Sequence, residues 1–417
     1  MHPRDISIAD WTYALPEDRI AQRPLEERDA SKLLIYANGS IQDGSFRDLP
    51  DHLPKDALLV LNDTRVVNAR ILFERSTGAR IEVLCLDPSD EAPLERAFEQ
   101  RGACEWHCFI GNAKRWKVGE DLVLRSDPAH STVQLTACRI GQEQIAFRWE
   151  PAQFTFAEVL ERVGHVPLPP YMKRPDEKDD KTRYNTVFAR SDGSVAAPTA
   201  SLHFTPRMID RAKANGAEIM KVTLHVGAGT FLPVKAERMD GHAMHAEQVR
   251  ISLASLETLA QRLGKSPVVP VGTTALRTLE SVYWHGVMLL QGRAGTTLDI
   301  GQWEPYEHKT DDLPSSSAAL SAVIDQLHSK GEDRLVGRTG LLIAPGYSFH
   351  FADAMVTNFH QPQSTLLLLV AAFVGADWRK IYTHALANDY RFLSYGDGSL
   401  LFRNGSGSTM GVSTSGQ

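Results

Sequence analysis

Three polar strings carry side chains able to do chemistry. The first is Ser194-Val195-Ala196-Ala197-Pro198-Thr199-Ala200-Ser201-Leu202-His203-Phe204. Its small residues let a backbone approach a ligand closely, and His203 can titrate near neutrality. The second is Leu224-His225-Val226-Gly227-Ala228-Gly229-Thr230-Phe231, a strand pattern ending in a glycine turn. That is where α/β sheets hold ligands. The third, Thr357 to Thr365, contains Asn358 and His360 and precedes a helix start. The free N–H groups of a helix N-terminus suit an anion or a carboxylate. A single histidine is more often a hydrogen-bonded structural residue; three in such strings point as readily to a shared pocket.

Other constellations are weaker. No Walker loop is present, and Gly227-Ala228-Gly229 fails the dinucleotide fingerprint at its third glycine. No HExxH helix occurs. His242 and His245, with Glu247 nearby, read as a solvated loop before they read as a metal site, so no metal is expected. Cys85, Cys104, Cys108 and Cys138 fall in one stretch, but Cys104 and Cys108 share a strand face with Trp106 and Ile110. Buried thiols packing as small hydrophobes are expected there, ahead of structural zinc. Tyr171, Lys173, Arg174, Lys178, Lys181, Arg183 and Tyr184 form a basic segment that can carry phosphates or stack bases. Asp176, Glu177, Asp179 and Asp180 nearly cancel its charge, so its composition favours a solvated mobile loop.

The elements that must position these strings follow from periodicity. Between residues 70 and 155 the chain reads as short alternating strands: 79–86, 104–110, 122–124, 133–140 and 145–149. That pattern predicts a small all-β sandwich or barrel. Beyond residue 155 strands alternate with helices. Thr205-Pro206 starts a helix that Gly216 can stop, and 218–226 and 268–271 read as strands. Thr273-Thr274 can cap a helix through Trp284, and Leu341–Ala344 reads as a buried strand. Ser364 and Asp377 can each cap a further helix. This predicts an α/β main domain with a largely parallel sheet and an inserted all-β barrel domain. The expected division is 1–68 and 156–403 for the α/β domain, 69–155 for the barrel, and 404–417 for a disordered tail.

Composition bounds the function. The 417 residues are 42% hydrophobic and 23% charged, which suits a folded globular chain and excludes a collagen-like or mostly disordered one. The net charge of −6 means that any nucleic acid must meet a local basic patch. The longest apolar run, Leu366 to Val374, is too short to span a bilayer, and no apolar signal core opens the chain. A cytoplasmic protein without membrane association is expected.

Taken together, the ordered motifs resemble the S-adenosylmethionine:tRNA ribosyltransferase-isomerase family of queuosine biosynthesis. The resemblance runs through Ile20-Ala21-Gln22-Arg23-Pro24-Leu25, Leu61-Asn62-Asp63-Thr64-Arg65-Val66, Pro167-Leu168-Pro169-Pro170-Tyr171 and Val195 to Ala200. It continues through Thr223 to Phe231, Gly272-Thr273-Thr274, Arg277-Thr278-Leu279-Glu280, Thr357 to His360, Tyr390-Arg391-Phe392 and Ser394-Tyr395-Gly396-Asp397. The chain departs from the family pattern at Ser201, Gln361 and Gln363.

The resemblance implies that the ribosyl part of S-adenosylmethionine is transferred to 7-aminomethyl-7-deazaguanine at the tRNA wobble position and isomerised. Epoxyqueuosine forms; adenine and methionine leave. S-adenosylmethionine is then a substrate, no cofactor is needed, tRNA is the partner, and no obligate protein partner is implied. A base must take a proton from C5′, and His203, His225 or His360 is the natural candidate. Asp63, Glu280 and Asp397 are candidate carboxylates near the aminomethyl group or sugar hydroxyls. Arg65, Arg277 and Arg391 can hold the methionine carboxylate or a phosphate. Thr199, Thr273 and Asn358 can orient adenine or ribose, with Gly227, Gly229 and Tyr395 also in the substrate site. Tyr171, Lys173, Arg174 and Arg183, together with the β unit, are the candidate tRNA surface, whose binding should weaken with salt. Two alternatives stand beside this reading: a divergent paralogue acting on another nucleoside, and a non-catalytic RNA-binding module with the same fold.

Overall fold

The computed structural model describes residues 2–90, 92–125, 133–227, 234–309 and 312–403. The expected tail at 404–417 and Gly229 lie outside these. Two large sheets organise the chain. The first has ten strands, in the order Leu298–Ile300, Arg334–Thr339, Glu247–Ser252, Glu218–Leu224, Leu58–Asn62, Val268–Val271, Ala354–Asn358, Gly398–Phe402, Lys32–Ala37, Ser40–Ser45. Its centre is parallel: Glu218–Leu224, Leu58–Asn62, Val268–Val271 and Ala354–Asn358 all run the same way. Four of the other pairings, including Gly398–Phe402 against Ala354–Asn358, are antiparallel, so the sheet is mixed and only its centre is the expected parallel run. The antiparallel pairs are not confined to the edges, since Leu298–Ile300 with Arg334–Thr339 and Gly398–Phe402 with Lys32–Ala37 are parallel again; an antiparallel neighbour joins without the crossover helix a parallel one needs.

Residues in the central strands alternate between two cores, as the period of a strand requires. Leu58 and Val60 pack with Leu276 and Leu279 of one helix. Leu59 and Leu61 pack on the other face with Phe204, Met208 and Ala212. Each fully buried leucine contributes about 1.5–3 kcal/mol. The helix Thr273–Leu290 is buried along almost its whole length and is the central layer on the first face. Its N-cap is Gly272, not a threonine. Gly272 sits at φ +89°, a conformation open to glycine, and its N–H donates to the Val356 carbonyl at 2.7 Å.

The second sheet has six antiparallel strands in the order Arg70–Glu74, Arg80–Pro88, Ala103–Gly111, Gln144–Glu150, Gln134–Arg139, Asp121–Arg125. Its two edge strands come close together without a ladder between them, giving a nearly closed barrel. Cys85, Cys104 and Cys108 are free thiols in its core beside Trp106, and Cys138 is half-buried. Among the described residues no group of His, Cys, Asp or Glu is arranged to hold a metal ion. The helix Phe156–Val163, closed by a Thr155–Glu158 capping box, puts Phe156, Val159 and Leu160 into the same core.

The predicted strand at Leu341–Ala344 is absent; these residues are buried but form an irregular segment. Their apolar run is core packing without a ladder, a distinction periodicity does not make. Ser364 caps Thr365–Val374 as expected, its hydroxyl accepting the Leu367 N–H at 3.2 Å. Asp377 stands at the N-cap of Trp378–Ala387 but its side chain makes no cap bond. Among the described residues no helix is long and apolar enough to cross a membrane.

Candidate active site

The carboxyl ends of the four parallel strands lie at one edge of the large sheet. Gly398–Phe402 runs the opposite way, with Asn358 opposite Gly398, so the preceding Ser394 to Asp397 reaches the same edge. Asn62, buried at the end of Leu58–Asn62, ties this edge together. Its amide donates to the Leu224 carbonyl at 3.0 Å and to Thr274 Oγ1 at 3.3 Å, and its Oδ1 accepts the Leu224 N–H. The Ser194 hydroxyl accepts the Val226 N–H at 2.8 Å and donates to the Ala196 carbonyl at 2.9 Å, binding the first polar string to the second.

A cavity opens at this edge, lined by Thr199, Thr273, Thr274, Asn358, His360, Gln361, Tyr171 and Ser394. All three polar strings contribute to it, but of their three histidines only His360 lines it; His203 and His225 line other recesses. Its wall includes the first turn of Thr273–Leu290 and of Thr365–Val374, so two helix N-termini face it. Asn358 is buried; its Nδ2 faces His203 Nε2 at 3.2 Å, and its Oδ1 has no partner. His360 Nε2 lies 2.9 Å from Thr357 Oγ1. Burial pushes the His360 imidazole down to about 4, so it is neutral near pH 7. Tyr171 bonds Ser394 Oγ at 2.5 Å, and burial raises its phenol to about 12.

A second recess shares Ser364 and Leu366 with this cavity and is lined by Gly227, Arg277, Glu247, His242 and His245. A third cleft runs between the two sheets and includes Arg70, Phe109, His225, Gly227 and Glu247. His225 Nδ1 lies 2.9 Å from Thr64 Oγ1.

The remaining sequence candidates sit elsewhere. His203 is on the wall of a smaller pocket with Arg28, Arg183 and Tyr395 that shares Ser394 with the cavity. Burial lowers it to about 4, and its ring packs on Phe46 at 4.5 Å. Asp63 accepts the Thr223 hydroxyl at 2.7 Å beside the strand end. Glu280 is fully buried and accepts from Tyr347 Oη at 2.8 Å and from the backbone amides of His350 and Phe351. Burial pushes its carboxyl up to about 7. Asp397 accepts the amides of Lys32 and Arg391, and burial raises it. These three carboxylates lie outside the cavity walls; Glu280 and Asp397 hold backbone amides, and Asp63 holds a threonine hydroxyl. Arg65 is exposed and pairs with Asp192 at 3.2 Å; Arg391 is half-buried, 3.8 Å from Asp397.

The basic segment is also internally engaged. Arg174 makes a two-point pair with Asp180 at 2.7 and 2.9 Å, and Tyr395 Oη donates to the same carboxylate. Arg183 donates to the carbonyls of Leu25 and Glu26, while exposed Lys173 pairs with Glu17 at 2.7 Å. These contacts anchor the segment to residues 17–26, and two short helical turns, Pro170–Met172 and Asp180–Arg183, order it.

Sequence analysis meets Asn62 and Ser194 only within motif strings and Glu247 only beside a weak metal reading, and gives none of them a site-building role. For Asn62 the signal was there: an amide ending an otherwise apolar strand needs buried partners.

The geometry defines a class: an α/β protein with a polar ligand cavity at the carboxyl edge of its sheet and a second, barrel-like sheet facing that edge. Residues 8–401 match the family described as queuosine biosynthesis protein, and the chain belongs to that family. The S-adenosylmethionine:tRNA ribosyltransferase-isomerase of Azoarcus sp. (strain BH72) is 40% identical over 401 residues, covering 96% of this chain and 98% of that one. The protein of the same name from Magnetococcus marinus is 38% identical over 402 residues, covering 95% and 94%. A crystal structure of S-adenosylmethionine tRNA ribosyltransferase from Thermotoga maritima is 27% identical, covers 94% of this chain and 99% of its own, and superposes with a TM-score of 0.45.

Proposed function

We propose that the chain is an enzyme that transfers and isomerises the ribosyl moiety of S-adenosylmethionine onto 7-aminomethyl-7-deazaguanine at the tRNA wobble position, releasing adenine and methionine. The observation that carries this is identity near 40% along nearly the full length of both chains. The gathering of three motif strings at one cavity supports it. S-adenosylmethionine enters as substrate, and the reaction uses no resident cofactor. The protein works on tRNA in the cytoplasm and needs no obligate protein partner. Residues 1–68 and 156–403 form the main α/β domain and 69–155 an inserted barrel domain, with the helix Phe156–Val163 at the start of the second part packed onto the barrel core. Neither alternative, another nucleoside or RNA binding without catalysis, is favoured by a specific observation.

His360 is the preferred general base. It is the one candidate histidine on the wall of the three-string cavity, and a neutral imidazole can accept the acidified C5′ proton. His225 faces the adjoining cleft, which suits contact with the incoming base. Thr199, Thr273 and the unpaired Oδ1 of Asn358 orient adenine or ribose; the free oxygen suits an exocyclic amine. The wobble base must leave its stack to reach this edge.

The test is adenine release from S-adenosylmethionine with tRNA carrying 7-aminomethyl-7-deazaguanine, and with guanine-containing tRNA as control. Release with the modified tRNA alone is expected. No release from folded protein that still binds that tRNA would favour one of the alternatives.

A further inference from the structure

Arg277 is 6% exposed, yet its hydrogen bonding is incomplete. Its Nε–H donates to the Leu341 carbonyl at 3.2 Å and its Nη1 to Glu247 Oε2 at 2.7 Å. Its Nη2 has no acceptor. A buried donor without an acceptor is costly, and guanidinium donors match carboxylate oxygens in plane. The same Glu247 accepts the Gly227 N–H through Oε1 at 3.2 Å. One carboxylate therefore joins the glycine turn of the second string to the arginine of the central helix, fixing the guanidinium on the recess wall.

The recess around Arg277 suits an anion on two further counts. The first turn of the ten-residue helix Thr365–Val374 lines it, and its leading amides have no intrahelical acceptor. Arg277 and Glu247 cancel in charge, and Lys235 on the same wall leaves an excess positive charge. The recess adjoins the three-string cavity through Ser364 and Leu366, one short step from Thr199 and His360.

We infer that this recess is a carboxylate-binding subsite for the amino-acid end of the sulfonium substrate, with Arg277 as its ligand-facing group and Glu247 as the residue that positions it. The inference rests on the proposed function and selects among the three arginines. Arg65 and Arg391 lie outside the walls of the recess. The two histidines of the H-x-x-H string thereby belong to the wall of an anion site.

Steady-state adenine release at saturating modified tRNA tests this, with decarboxylated S-adenosylmethionine as competitor. The competitor keeps the sulfonium and lacks the carboxylate. For the wild type it should bind about ten- to a hundred-fold more weakly than S-adenosylmethionine. Arg277→Met should raise KM for S-adenosylmethionine by a similar factor, leave KM for tRNA unchanged and abolish the discrimination. Glu247→Gln keeps the shape but loosens the guanidinium, and should shrink the discrimination through a raised KM for S-adenosylmethionine. It also carries the test if Arg277→Met does not fold. Equal binding of both compounds to the wild type would overturn the subsite, as would undiminished discrimination in the folded variants. A raised KM for tRNA alone would assign the recess to a phosphate and overturn it too. A wild type that releases no adenine would overturn the proposed function itself, and this inference with it.

Discussion

At the scale of single residues, histidines similar in sequence have been given different surroundings. His360 reaches the cavity, while His203 is turned toward Phe46 and the Arg28 carbonyl. His360→Ala should lower adenine release by about 100- to 10,000-fold, the span of general acid–base contributions. A His360→Ala protein with near wild-type turnover would remove it as base. His225 is held by its bond to Thr64 and by the absence of a side chain at Gly193. A Cβ there would lie 2.7 Å from His225 Nδ1, at a backbone φ of +146°. Gly193→Ala should therefore displace the ring, at a cost of about 100-fold in turnover if the ring moves by ~1 Å. Unchanged turnover would show that the His225 position is not used.

At the scale of elements, capping and packing decide where functional groups stand. The capping box at Thr155–Glu158 closes the helix that seals the barrel core, far in sequence from the three strings. Thr155→Ala should cost about 1 kcal/mol in urea unfolding. A loss near zero would mean that the helix end is already held by the packing of Phe156. The helix Thr273–Leu290 was legible from its threonines, but its start was not. Gly272 holds the cap position, and the helix runs on past Trp284 because its whole circumference is buried. The apolar segment Leu341–Ala344 failed as a strand for the same reason: burial on all sides erases the alternation that marks a strand.

Across the whole molecule, buried titratable groups set the response to pH. Burial holds His203, His350 and His360 near 4, against an ordinary value of 6.5. The native state therefore refuses protons that the unfolded chain takes up below about 6.5, and stability falls as pH drops from there toward 4. Glu280 acts in the opposite sense. It keeps its proton up to about 7, against 4.5 when unperturbed, so its contribution is full at low pH and is lost as pH rises to 7. Three groups outweigh one. Stability should fall by about 2–3 kcal/mol per pH unit between pH 6 and 5. Urea titrations at those two pH values check this; a protein equally stable at both would mean that the histidines are protonated in the native state. Glu280→Gln should make the fall steeper by removing the opposing group.

The order of the polar strings, the types of their residues and their likeness to one family were legible from the chain alone. So were the alternating strands around Cys104 and Trp106 and the cap at Ser364, because these depend on neighbours in sequence. Which residues face one another was not legible, because that is decided by strand order. Parallel pairing brings Leu61, Val271 and Val356 side by side, and an antiparallel return delivers Ser394 to the same edge. Packing of the helix Thr273–Leu290 turns Glu280 toward the amides of His350 and Phe351 and leaves one donor of Arg277 without an acceptor, while Asp397 takes the amides of Lys32 and Arg391. Spacing along a chain sets local geometry; the distance between two charges hundreds of residues apart is a property of the sheet that joins them.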